Sequence, residues 1–111
     1  LPVSDADRAE DFYGAKLGLP KLFRFGHLVF FDCGGVRLML EGNSAEAGRT
    51  EGVCLYYRVT GLERACAELK QRGIVFDDAP HLIAKMPDHE LWMAFFRDPD
   101  RNLLALMEEK R

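Results

Sequence analysis

Val3-Ser4-Asp5-Ala6-Asp7-Arg8-Ala9 returns 56 residues later as Val59-Thr60-Gly61-Leu62-Glu63-Arg64-Ala65, and this recurrence decides the fold. Each copy reads as a helix entry. Ser4 and Thr60 supply a capping oxygen. Asp7 and Glu63, three residues on, bring an acidic group to the first turn, where exposed N–H groups and the helix dipole favour it. Apolar residues follow at helical spacing: Ala9, Phe12, Tyr13 and Leu17 in the first copy, Leu62, Ala65, Cys66 and Leu69 in the second. Gly18 and Gly73 stand where helices of that length stop.

After each helix the pattern turns to short apolar, β-branched and aromatic runs. Strands are predicted at Lys21–Phe25, His27–Asp32 and Val36–Glu41, then at Ile74–Asp77, Glu90–Arg97 and Leu103–Met107, with residues 52–59 as the strand ahead of the second helix. Asp32-Cys33-Gly34-Gly35 and Asp98-Pro99-Asp100-Arg101-Asn102 carry turn residues, so each half closes with a hairpin. The hairpins superpose at a shift of 66, placing Asp32 on Asp98 and Leu40 on Leu106. Each half is therefore strand, helix and three strands: module one over 1–41, a polar linker over 42–51, module two over 52–111. The first strand is expected mostly upstream of Leu1, since the chain opens without Met.

The chain has 111 residues, 48% of them hydrophobic, which suits a single core. A net charge of −3 without a Lys/Arg block argues against nucleic acid as a partner. Apolar runs such as Leu28–Phe31 and Leu91–Phe96 are strand-sized, well short of the ~20 residues of a membrane helix. Cys33, Cys54 and Cys66, an odd number at unpatterned spacing, read as reduced thiols and predict a cytoplasmic protein.

The helix entry Val3–Tyr13 with Leu17-Gly18-Leu19, the second entry Tyr57–Ala65, and the closing Phe95-Phe96-Arg97-Asp98-Pro99-Asp100-Arg101-Asn102 together resemble the vicinal oxygen chelate superfamily of glyoxalases, bleomycin-resistance proteins and extradiol dioxygenases. The resemblance implies an α+β fold in which two βαβββ modules form one curved mixed sheet with an internal cleft. It also implies a homodimer and a small-molecule ligand.

In metal-using members the resemblance implies ligands at four strand positions. One falls upstream of Leu1. The second, a His five residues before Val59, falls on Cys54; the closing Glu, seven residues after Asp98, falls on Ala105; its repeat mate is Met39. Ala supplies no donor and Met only a soft thioether, whereas a divalent hard or borderline cation needs several O or N donors. The expectation is therefore no metal and no cofactor.

Positions 39, 54 and 105 also define the expected pocket face, because residues two apart on a strand point the same way. That face takes in Arg37, Met39 and Glu41; Cys54, Tyr56 and Arg58; and Leu103, Ala105 and Met107. Fosfomycin-enzyme-like members present an aromatic three residues before the turn Asp, here Phe95, and alternation adds Met93, Leu91 and His89. Trp92, Ala94 and Phe96 then pack under a helix. Glu41 and Arg37 read either as anchors for a charged ligand group or as an ordinary ion pair; His89 as a base or a solvated loop residue; Cys54 as a nucleophile or an inert small hydrophobe. Three functions stay open: a metal-free small-molecule-binding protein; a metal-dependent glyoxalase-like lyase, isomerase or dioxygenase using a displaced set such as Glu41, His89 and an upstream residue; or a dimer module with no ligand, serving as an interaction unit.

Overall fold

The computed structural model describes residues 1–49 and 53–111. Thr50, Glu51 and Gly52, where the expected linker ends and module two begins, lie outside the described residues. The order is α1 (Ala6–Glu10), continuing as a π-helix over Asp11–Lys16, then β1 (Lys21–Phe25), β2 (Leu28–Cys33), β3 (Val36–Glu41), β4 (Cys54–Arg58), α2 (Leu62–Gln71), β5 (His81–Lys85), β6 (Glu90–Arg97) and β7 (Leu103–Lys110). The class is α+β. The strands form two hydrogen-bonded sheets, β1-β2-β3 and β4-β7-β6-β5, where one continuous mixed sheet was expected; each ladder is completed from within its own module.

The first unit holds residues 1–49 and the turn Asp98–Asn102. Its three strands are antiparallel, and Pro2 bridges Glu41 in parallel. Alternation turns Val29, Phe31 and Leu40 to one face, where they are fully buried along with Ala9, Phe12 and Tyr13 of the helix. Burial of each large side chain is worth about 2 kcal/mol. The second unit holds Val53–Arg97 and Leu103–Arg111. There β4 runs parallel to β7, and β6 runs antiparallel to both β7 and β5. Ala94, Phe96, Leu104 and Leu106 are buried, as are Leu62, Cys66 and Leu69 of α2, which packs on β6 and β7.

One hydrogen bond states the repeat directly. The Val3 N–H donates to the Glu41 carbonyl at 2.8 Å, and the Val59 N–H donates to the Met107 carbonyl at 2.8 Å. Val59 is the repeat mate of Val3, and Met107 that of Glu41.

The helix caps differ from expectation. Ser4 does not cap: Asp5 accepts from the N–H groups of Asp7 and Arg8 at 2.9 and 3.1 Å, and Ser4 Oγ instead accepts from Arg8. Thr60 does not cap either. Gly61 stands at the α2 cap with φ 80°, a left-handed conformation that glycine adopts without penalty. Its side-chain oxygen is supplied by Glu108, whose carboxylate accepts from Gly61 N and Leu62 N at 2.8 and 2.9 Å. The repeat mate of Glu108 is Gly42, where a Cβ would stand 2.6 Å from that of Ala6. Each helix thus begins on a carboxylate, drawn from position 5 in one module and from position 108 in the other.

The strand expected at Ile74–Asp77 forms only an isolated bridge, Phe76 with Phe96. The strand paired with β6 is β5, four residues after Asp77. Asp78, Ala79 and Pro80 separate the two, and Pro80 has no N–H to continue a ladder.

The turn Asp98–Asn102 is held inside the first unit. Buried Asp98 accepts from Tyr13 Oη at 2.7 Å, from Asn102 Nδ2 at 2.8 Å, and from the N–H groups of Asp100 and Asn102. Asp100 accepts from Ser4 N. Arg101 takes φ 66°, in the left-handed region.

Candidate functional site

The open face of the second sheet follows from register. Three rows cross it: Cys54–Leu103–Arg97, Tyr56–Ala105–Phe95, and Arg58–Met107–Met93–His81. The structure therefore gathers Cys54, Tyr56, Met93, Phe95 and Ala105 on one face, opposite the side buried by α2. Tyr56 is 58% exposed, whereas Ala105 has no exposed surface. Burial pushes the Cys54 thiol above its ordinary range, and the Arg97 guanidinium pulls it part of the way back. A thiol biased toward its protonated form is a poor nucleophile.

Arg37, Met39 and Glu41 share a face of the first sheet, opposite the buried Leu40. Phe30 pairs with both Met39 and Phe23, and the Phe23 and Phe30 rings stack at 4.4 Å. The Arg37 guanidinium lies over Phe23 at 5.9 Å.

His89 sits apart, at the start of β6. Its Nδ1 lies 2.8 Å from Asp88 Oδ1, and Asp88 Oδ2 accepts from Arg111 at 2.9 Å. These bonds, His89 first and Arg111 second, hold the Asp88 carboxyl below its usual range. His89 lines a hollow of about 390 Å³ with Lys85, Met86, Glu90, Lys110 and Arg111. A second hollow, about 450 Å³, is lined by Arg58, Val59, Thr60, Glu108, Glu109 and Arg111.

Trp92, expected under the helix beside Ala94 and Phe96, is only half-buried. Its Nε1 donates to Glu90 at 3.1 Å, and Lys110 lies over its ring. Sequence reasoning gave His81 no role, yet its ring stands 5.9 Å from Phe95; the signal was hidden because β5 was not foreseen. Arg97 was also left out, although it stands two residues from Phe95.

The residues at positions 39, 54 and 105 do not fit a divalent metal of the kind the resemblance implies. Ala105 has no donor atom, Met39 offers a soft thioether, and Cys54 alone offers a thiol. Among the described residues no three His, Cys, Asp or Glu side chains gather as a metal site, and no helix is long and apolar enough to cross a membrane.

Residues 1–106 match the family model described as Glyoxalase/Bleomycin resistance protein/Dioxygenase superfamily. A curated relative, Uncharacterized protein YraH of Bacillus subtilis (strain 168), is 26% identical over 96% of this chain and 91% of its own. The crystal structure of a glyoxalase/bleomycin resistance protein/dioxygenase from Alicyclobacillus acidocaldarius superposes with a TM-score of 0.82 at 25% identity, over 98% of this chain and 86% of that one. A lactoylglutathione lyase from Agrobacterium tumefaciens does so with a TM-score of 0.70 at 24% identity, over 97% and 88%.

Proposed function

We propose that this chain, which belongs to the glyoxalase/bleomycin resistance protein/dioxygenase superfamily, is a metal-free small-molecule-binding protein. The observation that carries the reading is the chemistry of the second sheet's open face. Tyr56, Phe95, Met93 and Met107 give it an apolar body, and the positions that hold metal in the resembled enzymes carry Cys54 and Ala105. Few polar groups on an apolar surface suit binding and orientation of a small organic molecule. Arg37, Met39 and Glu41 are proposed as small-molecule contacts within the first unit. The protein is further proposed to be a cytoplasmic homodimer; its three free cysteines support the compartment.

The test is a thermal-shift screen of the full-length protein before and after exhaustive chelation, with metal content measured in parallel. Ligands that bind the native state raise the midpoint by mass action. The proposal expects the same ligands to stabilise both preparations. Stoichiometric Zn, Ni, Fe or Mn, with ligand binding lost on chelation and restored by that metal, would overturn it. Sedimentation equilibrium at micromolar concentration tests the dimer.

A further inference from the structure

We infer that the molecule this face takes is an aromatic carboxylate, its ring lying on Tyr56 and its carboxylate reaching Arg58 and Thr60 in the adjoining hollow. The inference rests on the small-molecule reading above and names the ligand class.

The argument comes from which groups at the end of the face are already satisfied. Of the two carboxylates lining the 450 Å³ hollow, Glu108 is held by the Gly61 and Leu62 N–H groups. Glu109 accepts from Arg111 at 3.2 Å, and Arg111 also donates to Asp88. Both acids and one of the two cations are thereby occupied. Arg58 is different: among the described residues its guanidinium makes no hydrogen bond, ion pair or ring contact, and neither does the Thr60 hydroxyl. A guanidinium carries five N–H donors in a planar fork that matches a carboxylate. The hollow therefore offers an uncommitted guanidinium and hydroxyl, whereas each of its carboxylates already accepts from an N–H donor. That is complementarity for an anion.

The rest of the ligand follows from the neighbouring row. Tyr56 precedes Arg58 by two residues on the same strand and face, about 7 Å along it. Its ring is 58% exposed, and Ala105, its register partner, is sealed, so a ligand lies on the rings and not between them. Phe95 follows on the far side of Ala105, with His81 tilted against it at 5.9 Å. A flat ring on this surface gains stacking as well as apolar burial. A volume of about 450 Å³ is within the range of small-ligand sites.

The probes are naphthalene-2-carboxylate, naphthalene-2-carboxamide, naphthalene-2-methylammonium and cyclohexanecarboxylate, titrated into the full-length protein by calorimetry and amide NMR. The expected order places the naphthoate at least tenfold tighter than the amide, with the ammonium weakest. Cyclohexanecarboxylate binds at least threefold more weakly than the naphthoate. Arg58→Gln removes the acid-over-amide preference and leaves amide affinity within twofold, which separates loss of charge recognition from loss of folding. Tyr56→Ala weakens acid and amide together by fivefold or more. A preference that survives Arg58→Gln, or an ammonium probe that binds as well as the acid, overturns the inference. If neutral or cationic molecules alone bind, only the ligand class falls. If nothing stabilises the protein, the binding reading falls with it.

Discussion

Replacing Glu108 with alanine removes the acceptor from the start of α2 without touching the helix itself. Gly61 has no side chain to take over, so the Gly61 and Leu62 N–H groups lose a carboxylate at 2.8 and 2.9 Å. Loss of a helix cap costs about 1 kcal/mol, within a range of about 0.5–2, and the carboxylate adds a favourable interaction with the helix dipole. Solvent reaches this half-exposed site, which holds the expected loss near 1 kcal/mol. With an unfolding entropy of about 2.1 cal/mol/K per residue, a chain of this size loses about 4 °C of Tm. The pH dependence has a definite sign. Bonds from the Gly61 and Leu62 N–H groups hold the Glu108 carboxyl below its ordinary value of 4.5, with burial opposing them. A depressed folded pKa contributes stability that is complete above the unfolded value and is lost as pH falls through the folded one. Calorimetry at pH 7 is expected to show the full difference between wild type and Glu108→Ala, and the gap is expected to narrow below about pH 4.5. Glu109→Ala, which breaks only an exposed pair with Arg111, serves as the control and shifts stability by under about 0.5 kcal/mol. A Glu108→Ala midpoint within 1 °C of wild type at pH 7, or a gap unchanged at pH 3.5, refutes the capping argument.

Three further outcomes are expected. Gly42→Ala forces a Cβ to 2.6 Å from that of Ala6 and costs about 1–3 kcal/mol by overpacking; in urea melts, adding Ala6→Gly recovers part of that loss, and purely additive effects would contradict the steric account. Tyr13→Phe deprives buried Asp98 of its 2.7 Å partner and is expected to cost about 1–3 kcal/mol by denaturant titration, whereas a neutral change would mean water replaces the hydroxyl at no cost. All three thiols are pushed up chiefly by burial, so iodoacetamide labelling followed by mass spectrometry should be slow at pH 7 and climb toward pH 9 and above. A cysteine labelled within minutes at pH 7 would contradict this.

What the sequence made legible was whatever one strand or helix decides for itself. β1, β3 and β6 begin and end at Lys21–Phe25, Val36–Glu41 and Glu90–Arg97 as read, because alternation over five to eight residues is local. The buried face of α2 follows from its spacing of Leu62, Cys66 and Leu69. The caps were illegible for a physical reason: Ser4 and Thr60 fit a local rule, but an acceptor 46 residues away, on Glu108, satisfies α2. β5 was hidden because His81–Lys85 has little alternation to show. It is a mostly exposed edge strand whose pairing shifts at a bulge between Leu82 and Ala84. The candidate face was readable by parity at Tyr56, Met93 and Phe95. The occupancy of its charged neighbours was not, since it depends on which carboxylate each N–H or guanidinium meets in space.

The placement of Asp98–Asn102 in the first unit has a consequence for synthesis. Tyr13 waits 85 positions for Asp98, and Ser4 waits 96 for Asp100. As the chain emerges from a ribosome, the amino-terminal helix and its three strands meet early, yet the Tyr13 hydroxyl does not meet Asp98 until residue 98 has been made. Contacts this distant in sequence are slow to close, since the entropy of the intervening loop must be overcome first. The first unit therefore completes its core only after Asp98–Asn102 has been delivered, although the rest of it is translated first.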